Sequence, residues 1–440
     1  MPGDDIPVEN AETAPAEKEP DNSSKLRTLM GLLRRFVGVA DLASVRFSLP
    51  AHLLEPTPNL EYWTYLDRPE TFIAIGDSNE PLERMLAALR FWFTKDLKYV
   101  KGKPVKPYNS TLGEFFRCNW EVDELVPPVL QAAAPSRGCS IASTNSTRKP
   151  EKPIRVSFLT EQTSHHPPVS AFYIECPEKG IVANGYDQIS AKFTGTSVKV
   201  MPGDHNYGIF ITLKNHGDEQ YQLTHPAAHL GGLLRGTLTI SVADTCYITC
   251  AKTKIKTILQ YLEEGWLGRT QNKVEGVIFK YDPDNDDKTR VKDVSEKDVL
   301  GRIEGSWTDK VYFTLGTQSF AKSSEKHLLT DLAPLFPAPK SVPPLPSQLS
   351  NESRRFWSSV TSALLNKQYA LATKHKHEIE DRQRAKAAER KESGREWTPR
   401  FFTGAVTPVG RPELTGEGKR AVEGLVRGEW GLEESEELGA

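Results

Sequence analysis

The sequence contains no run of eighteen apolar residues, and its acidic N-terminus has no apolar signal core. A helix needs about twenty apolar residues to cross a bilayer, so we expect neither a membrane span nor a secretory signal. The five cysteines are odd in number and irregularly spaced, which argues against a disulfide framework and favours reduced thiols in the cytoplasm. Because the formal net charge is only −2, we expect no nucleic-acid partner, and any attraction to anionic membranes must come from local patches.

Motifs of metal binding and covalent catalysis are missing as well. No CxxC or HExxH pattern is present, and no GxSxG turn offers a serine nucleophile. The adjacent pair His165 and His166 is a poor metal site, because neighbouring residues on a strand point to opposite faces. We therefore expect neither enzymatic activity nor a metal or other cofactor.

One segment is far more informative than the rest, the run EQTSHHPPVSAFY at residues 161–173. Apolar and polar residues alternate over residues 156–161, which predicts a strand that enters the run. The two prolines of the run cannot donate hydrogen bonds to a ladder, so the strand must break there or lie at an edge. His165 and His166 therefore stand at a rigid strand end, where they can grip a polar ligand.

The N-terminal part of the chain divides into several predicted regions. Residues 1–24 are rich in Pro, Glu, Asp and Ser, and we expect them to be disordered. Apolar residues recur at helical spacing over residues 26–37 with basic residues between them, which predicts a short helix. Such a helix either packs on the core or forms a lid that touches membranes. The pattern over residues 81–93 predicts a core helix, and residues 129–152 are typical of an exposed loop.

Residues 153–320 carry many short alternating segments, with turns about every eight to twelve residues. This pattern predicts a large antiparallel barrel or sandwich, and a barrel of so many strands encloses a ligand cavity. The pattern over residues 353–392 then predicts helix, with a densely charged second half closed by Gly394. Taken alone, such a stretch is typical of a solvated surface helix.

The run at residues 161–173 resembles the signature of the oxysterol-binding-protein-related family of lipid-transfer proteins. KPYNSTLGEFFRCNW at residues 106–120 resembles the family's KPxNPxLGE segment, with Ser110 where proline is usual. KHEIEDRQR at residues 376–384 and IEGSWTDKVYF at residues 303–313 match two further segments. The likeness is to short members of the fungal Kes/Osh type, which have no accessory targeting domains.

This resemblance implies one lipid-binding domain over residues 25–403, of α+β, mainly β class. The expected fold is a large, incomplete antiparallel barrel with an internal lipid tunnel, an N-terminal helical lid and C-terminal helices. Residues 25–45 would form the lid, residues 153–320 the barrel and residues 353–400 the helices, followed by a tail at residues 404–440. The apolar face of the lid would consist of Leu26, Leu29, Met30 and Leu33.

The resemblance also implies a site for the head group of phosphatidylinositol 4-phosphate. Lysine, arginine and histidine donors would surround the phosphate, and an amide and a carboxylate would bind the inositol hydroxyls. The phosphate residues would be Lys106, His165, His166, Lys376 and Arg384, and the inositol residues would be Asn109 and Glu380. Without the resemblance, Lys376, Glu380 and Arg384 are an ordinary ladder of salt bridges along one helical stripe.

The second ligand is predicted from weaker matches. Trp63 resembles a tunnel-lining tryptophan of sterol-carrying members, and GYDQISAKFTG at residues 185–195 resembles their GYNQI strand, which adds Asp187 and Gln188 to the tunnel. The implied function is exchange of a sterol for phosphatidylinositol 4-phosphate between the cytosolic faces of Golgi, endoplasmic reticulum or plasma membranes. Alternatives are phosphatidylserine as the second lipid, a lipid sensor that does not transfer, and a phosphoinositide hydrolase that uses the histidines.

Overall fold

The computed structural model describes residues 17, 22–42, 45, 49–101, 106–132, 151–232, 238–262 and 272–433. Most of the two segments predicted as disordered and as an exposed loop, residues 1–24 and 129–152, lies outside these residues. The described strands form one sheet, in which every strand pair is antiparallel. They are β1 (Phe115–Val122), β2 (Ile154–His165), β3 (Pro168–Cys176), β4 (Ile181–Asp187), β5 (Ile189–Phe193), β6 (Val198–Pro202), β7 (Ile209–Leu213), β8 (Glu219–Leu223), β9 (Ala227–Gly231), β10 (Thr239–Cys250), β11 (Ile255–Tyr261), β12 (Lys273–Lys280), β13 (Val299–Ser306), β14 (Lys310–Leu315) and β15 (His327–Asp331).

Helices precede and follow this sheet along the chain. The described helices are α1 (Asn22–Leu33), α2 (Asn59–Tyr62), α3 (Pro69–Ile73), α4 (Pro81–Thr94), α5 (Leu97–Lys101), α6 (Val129–Ala132), α7 (Ser353–Phe356), α8 (Ser358–Leu365), α9 (Tyr369–Glu392) and α10 (Gly416–Arg427). The core helix predicted over residues 81–93 is confirmed as α4.

The sheet is open, and most strands that are neighbours in it also follow one another along the chain. Its order is β1-β2-β3-β4-β7-β8-β10-β11-β12-β13-β14-β15, while β5, β6 and β9 form a branch that joins the first half of β10. β1 and β15 remain at opposite ends, so the sheet does not close on itself. The chain after β15 returns to β1, where Asn119 and Ser341 form an isolated antiparallel bridge. The predicted incomplete antiparallel barrel is confirmed.

The main hydrophobic core lies between the sheet and α4. Every residue from Glu83 to Thr94 is buried, so this helix is enclosed on all sides. Its apolar side chains belong to the same cluster as Phe158 of β2, Ile211 of β7 and Ile303 of β13. Burial of apolar surface on all sides of a helix is typical of a core helix, and here it fills part of the concave side of the sheet.

The helical region predicted over residues 353–392 consists of three helices in the structure. α8 and α9 are separated at residues 366–368, where Lys367 adopts the left-handed conformation with φ 57. The N–H of Gln368 turns back to the carbonyl oxygen of Ala363 at 2.8 Å, as at helix ends of the Schellman type. The sequence offers no glycine at this end, so the usual signal for a helix stop is missing.

Two predicted boundaries also need correction. The sheet extends beyond residues 153–320, since β1 precedes that range and β15 follows it. The predicted tail at residues 404–440 contains α10, which packs Ala421, Val422 and Leu425 against the β1–β3 side of the sheet. This helix is therefore part of the folded domain.

A buried ion pair joins β1 to the C-terminal helices. Arg117 of β1 and Glu352, just before α7, each keep only 1% of their side-chain surface exposed. The guanidinium Nε and Nη2 donate to the two carboxylate oxygens at 3.1 and 3.3 Å. Removal of one partner from such a pair leaves a buried charge without compensation, which costs more than the pair itself contributes.

We therefore expect Arg117→Ala to lower the free energy of unfolding by about 3–5 kcal/mol. The matched control is Lys214→Ala, which removes a pair with Glu175 whose lysine is 52% exposed and should cost under about 1 kcal/mol. Denaturant unfolding followed by tryptophan fluorescence measures both. Equal and small losses in the two variants would contradict a structural role for the buried pair.

Candidate functional site

The signature run folds as a tight hairpin tip at the rim of the sheet. β2 ends at His165 and β3 begins at Pro168, so the strand breaks at the prolines as the sequence predicts. A register shift between Gln162 and Ser164 interrupts the ladder just before the tip. His165 and His166 are both exposed, with ring centroids 4.7 Å apart. The two imidazoles therefore project from the end of the hairpin.

The loop at residues 106–114 lies against the base of this hairpin. The N–H of Gly113 donates to the carbonyl oxygen of Gln162 at 3.0 Å. The N–H of Gln162 donates in turn to the carbonyl oxygen of Glu114 at 2.8 Å. Gly113 has φ 77, a conformation that favours glycine. These two backbone hydrogen bonds place the LGE turn three residues from His165 along β2.

Two lysines lie close enough in this region for their charges to interact. Nζ of Lys106 donates to Oδ1 of Asn109 at 2.6 Å, and Nζ of Lys376 on α9 donates to Oε1 of Glu380 at 2.8 Å. Desolvation, and then the positive charge of Lys376, lower the pKa of Lys106 to about 8. Lys106 is nevertheless exposed. The structure thus brings together four of the predicted head-group residues, and an anion between the lysines would relieve their repulsion.

Arg384 stands apart from this group. It lies two helical turns beyond Lys376 on α9, and its side chain is 62% exposed and paired with Asp381. In this position it continues the predicted stripe along the helix. A bound head group would have to draw its guanidinium away from Asp381.

Two buried glutamates hold the site, and the sequence did not single them out. Glu114 accepts hydrogen bonds from the Thr111 N–H at 3.0 Å, the Ser353 hydroxyl at 2.7 Å and the Trp357 indole N–H at 3.1 Å. Burial raises its pKa to about 7. These contacts tie the LGE turn to α7 and to the start of α8.

Glu161, the first residue of the run at 161–173, is also a buried acceptor that binds a distant segment of the chain. Its two carboxylate oxygens accept the N–H groups of Arg400 and Phe401, both at 2.8 Å. Burial raises its pKa to about 7 as well. The segment after α9 is thereby fixed to β2, close to the hairpin.

A second polar cluster lies inside the main core. The hydroxyl of Tyr65 donates to Oδ1 of Asp187 at 2.5 Å, and Tyr65 holds a left-handed backbone with φ 59. Burial raises the pKa of Asp187 to about 7. The ring of His225 stacks on Tyr65 at 5.4 Å and lies 5.7 Å from Trp92. Burial, and then the charge of Lys95, lower the pKa of His225 to about 3.

Ion pairs extend this cluster along the end of α4 and the start of α5. Asp96 pairs with Lys95 and, at 3.3 Å, with Lys98, whose Nζ also donates to the carbonyl oxygen of Tyr62. Nζ of Lys95 lies 4.5 Å from the centre of the Trp92 ring. Hereafter Tyr65, Lys95, Asp96, Lys98, Asp187 and His225 are called the inner polar layer. Asp187 and His225 are partly rather than fully buried.

Two of the three predicted tunnel residues lie at this layer. Trp63 packs against the main core, with its ring 5.8 Å from that of Tyr99 and 6.0 Å from Nζ of Lys98. Asp187 is a member of the layer. Gln188 instead supports a neighbouring turn, since its Oε1 accepts the N–H of His205 at 2.8 Å.

The predicted lid residues lie on one face of α1. Leu26, Met30 and Leu33 are buried, and Leu29 is partly buried, in a small cluster with Phe193 of β5. This cluster is separate from the main core. The N–H of Leu42 donates to the carbonyl oxygen of Ala191 at 2.6 Å, which ties the segment after α1 to the same strand. α1 therefore covers the β5–β6 branch of the sheet.

Within the described residues, no helix is both long and apolar enough to cross a bilayer. In the same part of the chain, no three His, Cys, Asp or Glu side chains are grouped so that they could hold a metal ion.

Comparison with known proteins places this arrangement in context. The sequence model of the oxysterol-binding protein family matches residues 28–419. Oxysterol-binding protein-like protein 1 of Schizosaccharomyces pombe is 42% identical over 91% of this chain and 90% of its own length. Human oxysterol-binding protein-related protein 9 is 32% identical over 80% of this chain, which spans only 44% of that protein.

Solved structures share the fold. The Osh1 ORD domain in complex with ergosterol aligns with a TM-score of 0.63 at 19% identity, over 90% of this chain and 88% of its own. The Osh3 ORD in complex with PI(4)P, from Saccharomyces cerevisiae, aligns with a TM-score of 0.59 at 16% identity, over 94% and 95%. At these identities the likeness shows the fold alone.

The lysine pair generates a prediction that needs no ligand. We expect Lys106 to titrate near pH 8 in the isolated protein, and Lys376→Met to raise its pKa, because the variant removes a repelling charge. NMR of 13C-methylated lysines measures the titration. Lys374→Met, which removes an exposed charge from the same helix, is the control and should leave it unchanged.

The stability effect of Lys106 has a definite sign. Its folded-state pKa of about 8 lies below its ordinary value of 10.5, so the unfolded chain binds more protons between these values. The contribution of Lys106 to the free energy of unfolding should therefore rise with pH across that window. A Lys106 pKa that is the same with and without Lys376 would contradict the geometry of the pair.

Proposed function

Since the chain belongs to the oxysterol-binding protein family, we propose that it is a non-enzymatic lipid-transfer protein that exchanges a sterol for phosphatidylinositol 4-phosphate between membranes. The observation that carries this proposal is the group of Lys106, Asn109, Lys376 and Glu380 beside the histidine hairpin. It joins cationic donors, an amide and a carboxylate at the mouth of a barrel with an apolar interior.

The chemistry of the mouth suits a phosphoinositide head group. A phosphomonoester carries about 1.5 to 2 negative charges at neutral pH and offers three acceptor oxygens. Lys106, Lys376 and the pair His165 and His166 would donate to these oxygens, and Arg384 would add a bidentate fork once released from Asp381. Asn109 and Glu380 would bind inositol hydroxyls. The bound anion would relieve the repulsion between Lys106 and Lys376, which persists in the empty site.

The proposed sterol would lie in the interior, between the mouth and the inner polar layer. Among the solved relatives, the Osh1 domain holds ergosterol and the Osh3 domain holds PI(4)P. Here a single sterol hydroxyl would find Tyr65, Asp187 and His225 as partners, and Trp63 would contact the apolar body. Gln188 would contribute indirectly, by holding the turn that follows β6.

One observation favours phosphatidylserine as a second candidate in place of sterol. The inner polar layer carries Lys95 and Lys98 as well as carboxylates, so both signs of charge are present in the interior. A sterol offers one hydroxyl and no charge. A zwitterionic or anionic lipid would use such a layer more fully, because buried charges need charged or strongly polar partners.

α1 is proposed to act as the lid over this interior. Exposure of apolar lipid surface to water costs about 25 cal/mol per Å². The protein can therefore extract a lipid from a bilayer only if it buries the apolar part of that lipid as completely as the membrane does. Arg34, Arg35 and Val37 at the end of α1 are exposed and suit contact with an anionic membrane surface. The proposed location is cytoplasmic, with peripheral contact to the cytosolic faces of Golgi, endoplasmic reticulum or plasma membranes.

The histidine pair tests the head-group site. We expect His165→Ala with His166→Ala to abolish extraction of phosphatidylinositol 4-phosphate from liposomes, because each lost charge-assisted contact costs about 1.5–3 kcal/mol. The fold should be unchanged by circular dichroism, since both side chains are exposed.

The control for that experiment is His327→Ala on β15, at the far end of the sheet order. Extraction by the double variant at the wild-type level would contradict the assignment. Release of inorganic phosphate from the pure lipid would favour a hydrolase instead, and binding without transfer between vesicles would favour a sensor.

The shared interior predicts mutual displacement of the two lipids. Fluorescent sterol and fluorescent phosphatidylserine should each be tested for displacement by phosphatidylinositol 4-phosphate, and simultaneous saturation would rule out a single cavity. Leu29→Asp with Leu33→Asp should lower lipid retention and transfer, because charge on the buried face of α1 cannot pack. Thr28→Asp, which places one negative charge on the exposed face, should leave both unchanged.

A further inference from the structure

The long helix α9 begins without a cap of its own. Its N-cap residue, Gln368, makes no side-chain capping hydrogen bond, and its first turn contains no acidic residue. The first N–H groups of any helix lack partners within the helix, and the positive end of the helix dipole lies there. A helix start of this kind is stabilised by an acceptor, preferably an anionic one.

Glu17 supplies that acceptor from the other end of the chain. Its Oε1 accepts the N–H of Ala370 at 2.8 Å, and its own N–H donates to the carbonyl oxygen of Lys367 at 3.0 Å. Ala370 is the second residue of α9, and its N–H is one of those that an N-cap side chain normally satisfies. Glu17 therefore caps α9 across 353 positions of sequence.

α1, which follows Glu17 in the sequence, covers part of the sheet. Glu17 precedes the start of α1 at Asn22 by a few residues, and α1 packs its apolar face against the β5–β6 branch. The short turn at residues 51–53 lies against both α1 and α9. His52 in this turn is close to Lys25 of α1 and to Glu17. Burial, and then the positive charge of Lys25, lower the pKa of His52, while the negative charge of Glu17 acts to raise it. The start of α1 and the start of α9 thus lie close together.

α9 also carries the lysine and glutamate of the proposed head-group site. Lys376 and Glu380 lie six and ten residues after Ala370, which is about 9 and 15 Å along a helix that rises 1.5 Å per residue. Both ends of this interval are parts of one continuous helix. A change in order at its first turn is therefore felt close to Lys376.

We propose that Glu17 is a latch that couples closure of the N-terminal lid to the ordering of the head-group helix. This inference rests on the proposed function, in that α1 is taken as the lid. The contact of Glu17 with Ala370 exists only while Glu17 lies on the start of α9. Closure thus caps α9 and steadies Lys376 and Glu380, and by reciprocity a head group that holds α9 in place favours closure.

The first experiment uses the unliganded full-length chain. In Glu17→Ala, hydrogen exchange should be faster at Ala370 and across residues 24–33 of α1. The expected change is about two- to thirty-fold, the range that corresponds to loss of one helix cap. Glu325→Ala, which removes an exposed carboxylate beside His327, is the control and should change neither region. Unchanged exchange over residues 24–33 in Glu17→Ala overturns the latch.

A second variant separates the latch from a simple helix cap. Gln368→Asp, added to Glu17→Ala, gives α9 a cap of its own without any tie to the N-terminal segment. It should restore protection at Ala370 and leave α1 in fast exchange. Recovery of both regions would show that Glu17 only caps the helix and would overturn the latch.

The lipid arm measures release of phosphatidylinositol 4-phosphate from the loaded protein into vesicles of phosphatidylcholine. Release should be faster in Glu17→Ala by the same two- to thirty-fold factor and should stay fast in the double variant. Wild-type release in Glu17→Ala would overturn the coupling. If the wild-type protein takes up none of this lipid, the proposed function fails, while the exchange results on the unliganded chain still decide whether Glu17 latches α1.

Discussion

The buried carboxylate of Glu114 is the contact on which the geometry of the mouth depends. It joins the LGE turn to Ser353 and Trp357, and so it fixes the loop that carries Lys106 relative to the helices that lead to Lys376. Its pKa of about 7 lies above its ordinary value of 4.5 because ionisation in the core costs free energy. Its contribution to stability therefore decreases as pH rises between these two values, where the folded state binds more protons. Three hydrogen bonds donated to the Glu114 carboxylate offset part of the free energy that its burial costs, and they fix the loop relative to the helices.

The features that the sequence predicts well are those with a local physical cause. The break between β2 and β3 follows from prolines that cannot join a ladder, and the core helix follows from its apolar spacing after Pro81. The open, antiparallel character of the sheet follows from many short alternating segments. Lys106 and Asn109 meet because they are three residues apart in one loop, whereas their approach to Lys376 was predicted from the family resemblance alone.

What the sequence could not predict depends on contacts between distant segments. Lys95, Asp96 and Lys98 look like a solvated helix end, and only the fold shows that they lie against the interior with Tyr65 and Asp187. The stop of α8 was missed because a lysine occupies the left-handed position that glycine usually takes. Glu17 falls in a segment whose composition predicts disorder, and its partner Ala370 belongs to the far end of the chain. None of these contacts produces a hydrophobic periodicity or a local motif that could be recognised in the sequence.

The two polar regions of this barrel differ in a way that bears on exchange. The mouth offers a repelling lysine pair near solvent, so an anion gains there by removing an existing cost. The inner polar layer is already balanced, since Asp96 lies between Lys95 and Lys98 and Asp187 holds the hydroxyl of Tyr65. A ligand at either place must replace contacts that exist, but an anion at the mouth also relieves the repulsion between Lys106 and Lys376. Under the proposed function, the phosphoinositide head group would therefore gain new charge pairs, while the second lipid would depend mainly on burial of its apolar body. One interior would then serve two lipids in turn without equal affinity for both.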